Sequence, residues 1–243
     1  GRFTTIDPLA EKYPSVSPYA YCNGNPVNFV DPDGMDWYAY YLGRQDTYEN
    51  MLPHMSYAWT EAKSQEELDA LGIQGTYMGE AVVVFDGYYD EKLGKDGTLT
   101  GEGAKPADVT VYGPRGADDI ESYIGYTMSS DPSLFGVIAN GQYEVHRHYP
   151  GPYESEWAIN KRGEVPALNG FNPAYPDRSP GYLDNTLIHR NDLGGFTGRR
   201  YSYKENRMVN ISEGCLIINY DKWDRFNATF ENLSKFLLVL NRK

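Results

Sequence analysis

Asn210-Ile211-Ser212-Glu213-Gly214-Cys215-Leu216-Ile217-Ile218-Asn219 sets a cysteine behind a glycine and ahead of three aliphatic residues. The aliphatic run reads as a short buried strand with Cys215 at its mouth. Upstream, Thr186-Leu187-Ile188-His189-Arg190 reads as a second buried strand, and His189 leaves its end as the only histidine in the last third of the chain. The remainder of the chain then reads as a β-rich scaffold that brings these two strand ends together.

The residue types suit nucleophilic chemistry. An ordinary thiol, with a pKa of roughly 8.5, is only a few per cent thiolate at neutral pH, and an imidazole that accepts its proton makes it a usable nucleophile. Gly214 removes a side chain beside the sulfur, which lets a carbonyl approach and leaves the Gly214 and Cys215 N–H groups to face a developing oxyanion. The expected distance from Cys215 Sγ to a His189 nitrogen is about 3–4.5 Å. The plainer alternative is a small buried cysteine that merely opens a strand.

Ile188-His189 followed by Ser212-Glu213-Gly214-Cys215-Leu216 resembles the signature of the L,D-transpeptidase (YkuD-like) family: a strand ending in His, a loop, then Ser/Thr-x-Gly-Cys and an aliphatic residue. Glu213 stands where the family usually has His, Ile217 stands where it often has Arg or Asn, and the loop Asn191–Ile211 is longer than the family norm. The resemblance implies a mainly β fold, a curved sheet or sandwich with one or two short helices, over residues 76–243. It implies that Cys215 attacks a peptidoglycan stem peptide, that His189 is its base and that Gly214 with Cys215 forms the oxyanion site. Ser212 then steadies the loop. Arg190, Arg199 and Arg200 are the candidates for holding substrate carboxylates. Arg190 and Asn191, next to the base, are read as binding substrate or orienting His189, and Glu213, if paired with an arginine, is read as part of the substrate site. Glu213, next to the sulfur, would disfavour the thiolate unless it turns to solvent or pairs with Arg190, Arg199, Arg200 or Arg207. No cofactor and no metal is implied.

Composition narrows the function classes. The 243 residues carry 22 tyrosines and 25 glycines, which fits a turn-rich β protein, and the net charge of −12 argues against a nucleic-acid partner, which needs a basic face. No apolar run approaches the roughly 18–20 residues that span a membrane. Cys22 and Cys215 lie in unlike contexts, and both are expected free, since a disulfide would consume the nucleophile.

Residues 1–35 read as a separate module. Asp7-Pro8, Asn25-Pro26 and Asp31-Pro32-Asp33-Gly34 are turn signals, because proline fixes φ and bars helix at the residue before it. The stretch GRFTTIDPLAEKYPSVSPYAYCNGNPVNFVDPDG closely resembles the end of the Rhs repeat-associated core, after which a variable C-terminal domain, often a toxin, begins. In some members the chain is cleaved just beyond this motif with aspartates taking part; Asp31, Asp33 and the Met35–Asp36 bond are the matching positions. The plainer reading is an irregular plug without chemistry. The resemblance implies a payload of a larger, secreted or cell-envelope protein, with the missing Rhs shell as one partner. An immunity protein would be another if the payload is a toxin. The initial Gly is read as the remnant of a tag on a fragment.

Residues 36–75 read as a connector with one short helix, in which Ser64 and Glu67 form a capping box and Gly72 stops the helix. Strands are expected at 81–85, 108–112, 126–130 and 137–146, the last interrupted by an Asn140-Gly141 turn. His146 and His148 share one face of a strand, but a zinc site would need two further ligands, so a solvated strand end or groove rim is expected. Residues 149–182, with no regular period, read as a long loop. Asp221 is expected to cap a helix whose apolar stripe is Trp223, Phe226, Phe230 and Leu233, and Phe236–Leu240 to be a final strand. The competing function is a non-catalytic module that binds cell wall or a partner on the same fold. A papain-like or NlpC/P60-like hydrolase fits less well, because there the cysteine precedes the histidine.

Overall fold

The computed structural model describes residues 35–41, 55–89, 91, 106–129, 136–148, 156–168, 181–190, 199–202, 207–210, 212 and 214–243. The expectations for residues 1–34, Asn191 and Glu213 lie outside them. The strands are β1 (Asp36–Tyr41), β2 (Met55–Thr60), β3 (Thr76–Gly79), β4 (Val82–Gly87), β5 (Ala107–Tyr112), β6 (Ile120–Tyr126), β7 (Val137–Ile138) and β8 (Gly141–His148). They continue with β9 (Glu156–Ile159), β10 (Val165–Leu168), β11 (Tyr182–Leu183), β12 (Leu187–Arg190), β13 (Arg199–Ser202), β14 (Arg207–Asn210), β15 (Leu216–Ile218) and β16 (Lys235–Arg242). Helices α1 (Gln65–Ala70) and α2 (Trp223–Thr229) are short. The protein is mainly β.

Eight strands close a barrel in the order β12-β15-β6-β5-β4-β16-β8-β9, with β9 pairing back onto β12. β12/β15 and β16/β4 run parallel and the other neighbours antiparallel. The alternation read from 108–112 is what closure requires: Val109 and Val111 enter the interior, while Asp108 and Thr110 face out. β4 is apolar on both faces for a different reason. Val83 and Phe85 fill the barrel, whereas Val82 and Val84 pack with Val239 against Trp37, Ala39 and Met78 on the outside.

That outer layer is the stretch expected as a connector. β1 lies between β2 and β3 in a three-stranded sheet laid on the barrel, and Trp37 Nε1 donates to Gly113 O at 2.9 Å. β1 alternates, with Trp37 and Ala39 buried against the barrel and Tyr38 and Tyr40 partly exposed, whereas β2 is partly covered along most of its length and shows no period of two. α1 forms as read: Ser64 Oγ accepts the Glu67 N–H at 3.2 Å, and Gly72 follows at φ +72°. Glu67 Oε2 accepts the Lys63 N–H, one residue upstream of the usual capping-box position.

Three other expectations shift. The strand expected at 126–130 lies earlier, as β6, because the Thr127 and Met128 N–H groups donate to the Glu91 carboxylate rather than to a ladder. The 149–182 stretch contains β9 and β10. In β9, Trp157, Ala158 and Ile159 are buried in succession, which leaves no alternation to read. Asp221 does not cap α2; a 3-10 turn at Tyr220–Lys222 leads into it without a side-chain cap. The apolar stripe holds only for its first members: α2 ends at Thr229 with Phe230 as its C-cap, and Leu233 lies beyond the helix, partly buried against the core. Trp223, Phe226 and Phe230 plug the barrel and meet Trp157 and Phe236 with ring centroids 4.4–5.6 Å apart for the pairs Phe230–Phe236, Phe226–Phe230, Trp157–Phe230 and Trp223–Phe226.

Elsewhere in the barrel a buried polar knot takes the place of an apolar plug. Arg242 is fully buried; its Nε donates to Thr127 Oγ1 at 2.9 Å, one Nη to Thr127 O at 2.6 Å and the other to Ile138 O at 2.5 Å. Glu91 accepts from the Thr127 hydroxyl at 2.6 Å and from the N–H groups of Tyr88, Thr127 and Met128. Among the described residues no helix is long and apolar enough to cross a membrane.

Candidate functional site

β12 and β15 are parallel neighbours with Ile188 opposite Leu216, His189 opposite Ile217 and Arg190 opposite Ile218. Ile188, Leu216 and Ile218 lie in the barrel core, so His189 and Ile217 face the other way. Cys215 immediately precedes β15, whose pairing with β12 begins at Leu216. It therefore opens the strand next to that of His189, two residues ahead of Ile217, the residue opposite His189.

The His189 ring is half-buried. Its Nδ1 lies 2.7 Å from Arg190 O, and since a carbonyl only accepts, Nδ1–H is the donor. Cys215 is a free, half-buried thiol. Ser212 holds the turn before it: Ser212 Oγ donates to Cys215 O at 2.7 Å and accepts the Gly214 N–H at 3.2 Å. The last bond changes the expectation for Gly214. Its N–H is engaged by Ser212, which leaves the Cys215 N–H as the candidate oxyanion donor at this turn.

Gly214 is required by conformation. Its φ is +126°, and a Cβ there would stand 3.0 Å from Leu183 Cδ1 and 3.3 Å from Gly136 O. Gly214→Ala is expected to cost about 1–3 kcal/mol, the range for a residue forced into a disfavoured backbone region. Thermal unfolding of the variant measures this, and an unchanged midpoint would mean that the turn re-forms at no cost.

Of the candidate substrate cations, Arg190 follows His189 and by alternation faces the other way; its guanidinium lies 4.9 Å from the Tyr220 ring centroid. Arg199 and Arg200 begin β13, which pairs only with β14 among the described strands, in register Arg199 opposite Asn210. The stretch between the two motifs therefore contains two paired strands, the second ending at Asn210. The contacts of Tyr220 and Leu183 with the site were not legible in the sequence, because each depends on which elements tertiary closure brings together.

His146 Nε2 meets Glu144 Oε1 at 2.5 Å, and Arg162 reaches His148 Nε2 at 3.4 Å. Among the described residues no three His, Cys, Asp or Glu side chains are grouped to hold a metal ion. Comparison of the chain with protein-family models, with curated proteins and with solved structures finds no match.

Proposed function

We propose that this chain is a cysteine-dependent acyl transferase on an L,D-transpeptidase-like fold, acting on peptidoglycan stem peptides as a transpeptidase or hydrolase. The observation that supports the reading is the parallel β12/β15 register, in which His189 lies on the strand next to the one that Cys215 opens. His189 Nε2 accepts the thiol proton, Cys215 sulfur attacks a peptide carbonyl, and the Cys215 N–H faces the oxyanion. Collapse of the intermediate expels an amine that takes the proton back from His189 and leaves a thioester. Water or a second amine then attacks the thioester and frees the cysteine. The resemblance of residues 1–35 to an Rhs core tail supports a secreted or envelope-directed payload with an Rhs shell as its carrier.

The alternative, a binding module for cell wall or a partner, is favoured by one observation: Ser212 engages the Gly214 N–H and so removes one of two expected oxyanion donors. Thiol alkylation separates the two. In a Cys22→Ser background at pH 7, His189→Ala is expected to slow iodoacetamide modification of Cys215 about tenfold, because the thiol loses its proton acceptor. Equal rates would remove His189 as the base.

A further inference from the structure

A cavity of about 540 Å³ lies between β2 and the outer wall of the barrel, two to four strands around the barrel order from β15. Its floor is a single rung across three strands. Asn241 on β16 is opposite Asp86 on β4, which is opposite Asp108 on β5. Phe85, Val109 and Leu240, the neighbours of these three, fill the barrel core, so the rung faces outward. Met55 and Tyr57 of β2 and Tyr112 of β5 supply an apolar and aromatic wall, with the Tyr57 and Tyr112 rings 4.6 Å apart.

This rung is unfavourable to the empty fold. Like charges directly opposite each other on adjacent strands repel. Among the described residues neither carboxylate has an ion pair. Asn241 Nδ2 donates to Asp86 Oδ1 at 2.9 Å, while the buried Asn241 Oδ1 receives no hydrogen bond. A buried acceptor without a donor is destabilising. The cationic residues on the wall do not meet this need. Arg242 turns inward to Thr127 and Ile138, and Lys243 Nζ lies 5.3 Å from the Tyr88 ring centroid. Tyr57 is held above its ordinary pKa by burial, then by Tyr112 and Asp86, so it stays a neutral hydroxyl. Acceptors in a row, aromatic faces beside them and room for a drug-sized molecule match the recognition of an organic cation.

We propose that this cleft is a binding site for a primary ammonium carried on an apolar or aromatic body. The ammonium sits on the rung, donating to Asp86 and Asp108, and the body lies against Met55, Tyr57 and Tyr112. The site does not depend on Cys215 or on the acyl-transfer reading.

The test uses 2-phenylethylamine and its uncharged analogue 2-phenylethanol as probes, with calorimetry on the intact chain. The amine is expected to bind and the alcohol to bind at least tenfold more weakly. Asp108→Asn, at an exposed position, is expected to weaken the amine about tenfold, and Asp86→Asn with Asp108→Asn to abolish binding. Without ligand, Asp108→Asn is expected to raise the unfolding midpoint, since it removes a repulsion. Equal binding of amine and alcohol would overturn the proposal, as would amine binding that survives the double substitution or no amine binding at millimolar concentration to natively folded protein. Displacement of the amine by equimolar calcium would reassign the rung to a metal ion.

Discussion

Cys215→Ala is expected to lower turnover of a peptidoglycan stem-peptide substrate by about 10³-fold or more, the usual consequence of removing a covalent nucleophile. That corresponds to a loss of about 4 kcal/mol of transition-state stabilisation. The half-buried sulfur leaves a space that alanine fills with one fewer heavy atom, so the fold and substrate affinity should change little. Incubation with stem peptide followed by intact-mass measurement gives the cleanest readout. The native chain should carry a thioester adduct at Cys215 and the variant none. Turnover that persists in Cys215→Ala would displace Cys215 as the nucleophile. A native chain that binds the peptide as tightly as the variant does, with no adduct and no turnover, would establish the binding module instead.

Arg242→Met is expected to destabilise the protein by about 3–5 kcal/mol, the cost of breaking a buried charged network from one side. Methionine fills much of the arginine volume, so the loss comes from polarity. Thr127 O and Ile138 O lose their guanidinium donors, and the half-buried Glu91 loses the favourable charge of Arg242. For a chain of this size the unfolding midpoint should fall by about 10 °C. Burial pushes the Arg242 guanidinium down to about 10, so it remains charged at neutral pH. Burial also holds the Glu91 carboxyl above its ordinary value, against the lowering effect of its hydrogen bonds to Thr127, Tyr88 and Met128. The native state therefore takes up the Glu91 proton more readily than the unfolded chain. This contribution favours the native state below the ordinary carboxylate range and is lost as the pH rises through the raised value. Adding Glu91→Gln to Arg242→Met should consequently recover part of the loss, because it removes the stranded charge. A loss under 1 kcal/mol for Arg242→Met would show that this knot does not hold the barrel.

Local features were legible wherever a short-range rule acts alone. The Ser64 cap and the Gly72 stop of α1 follow from side-chain and backbone chemistry within one turn. The alternating Ala107–Tyr112 strand and the Trp223–Phe226 face of α2 follow from the periods of two and 3.6 that burial on one face imposes. Tertiary structure decided the rest. β9 escaped the sequence because three consecutive residues are buried on both of its faces, and β2 because its residues are only partly covered along most of the strand. Closure of β9 onto β12, and the parallel register that puts His189 on the strand next to the one that Cys215 opens, depend on strands far apart in the chain and leave no local pattern. The Asn241–Asp86–Asp108 rung is the extreme case. Each residue alone reads as an ordinary polar position on a strand, and only the registry of β16, β4 and β5 makes them one row of acceptors, because cross-strand neighbours are set by pairing and not by sequence distance.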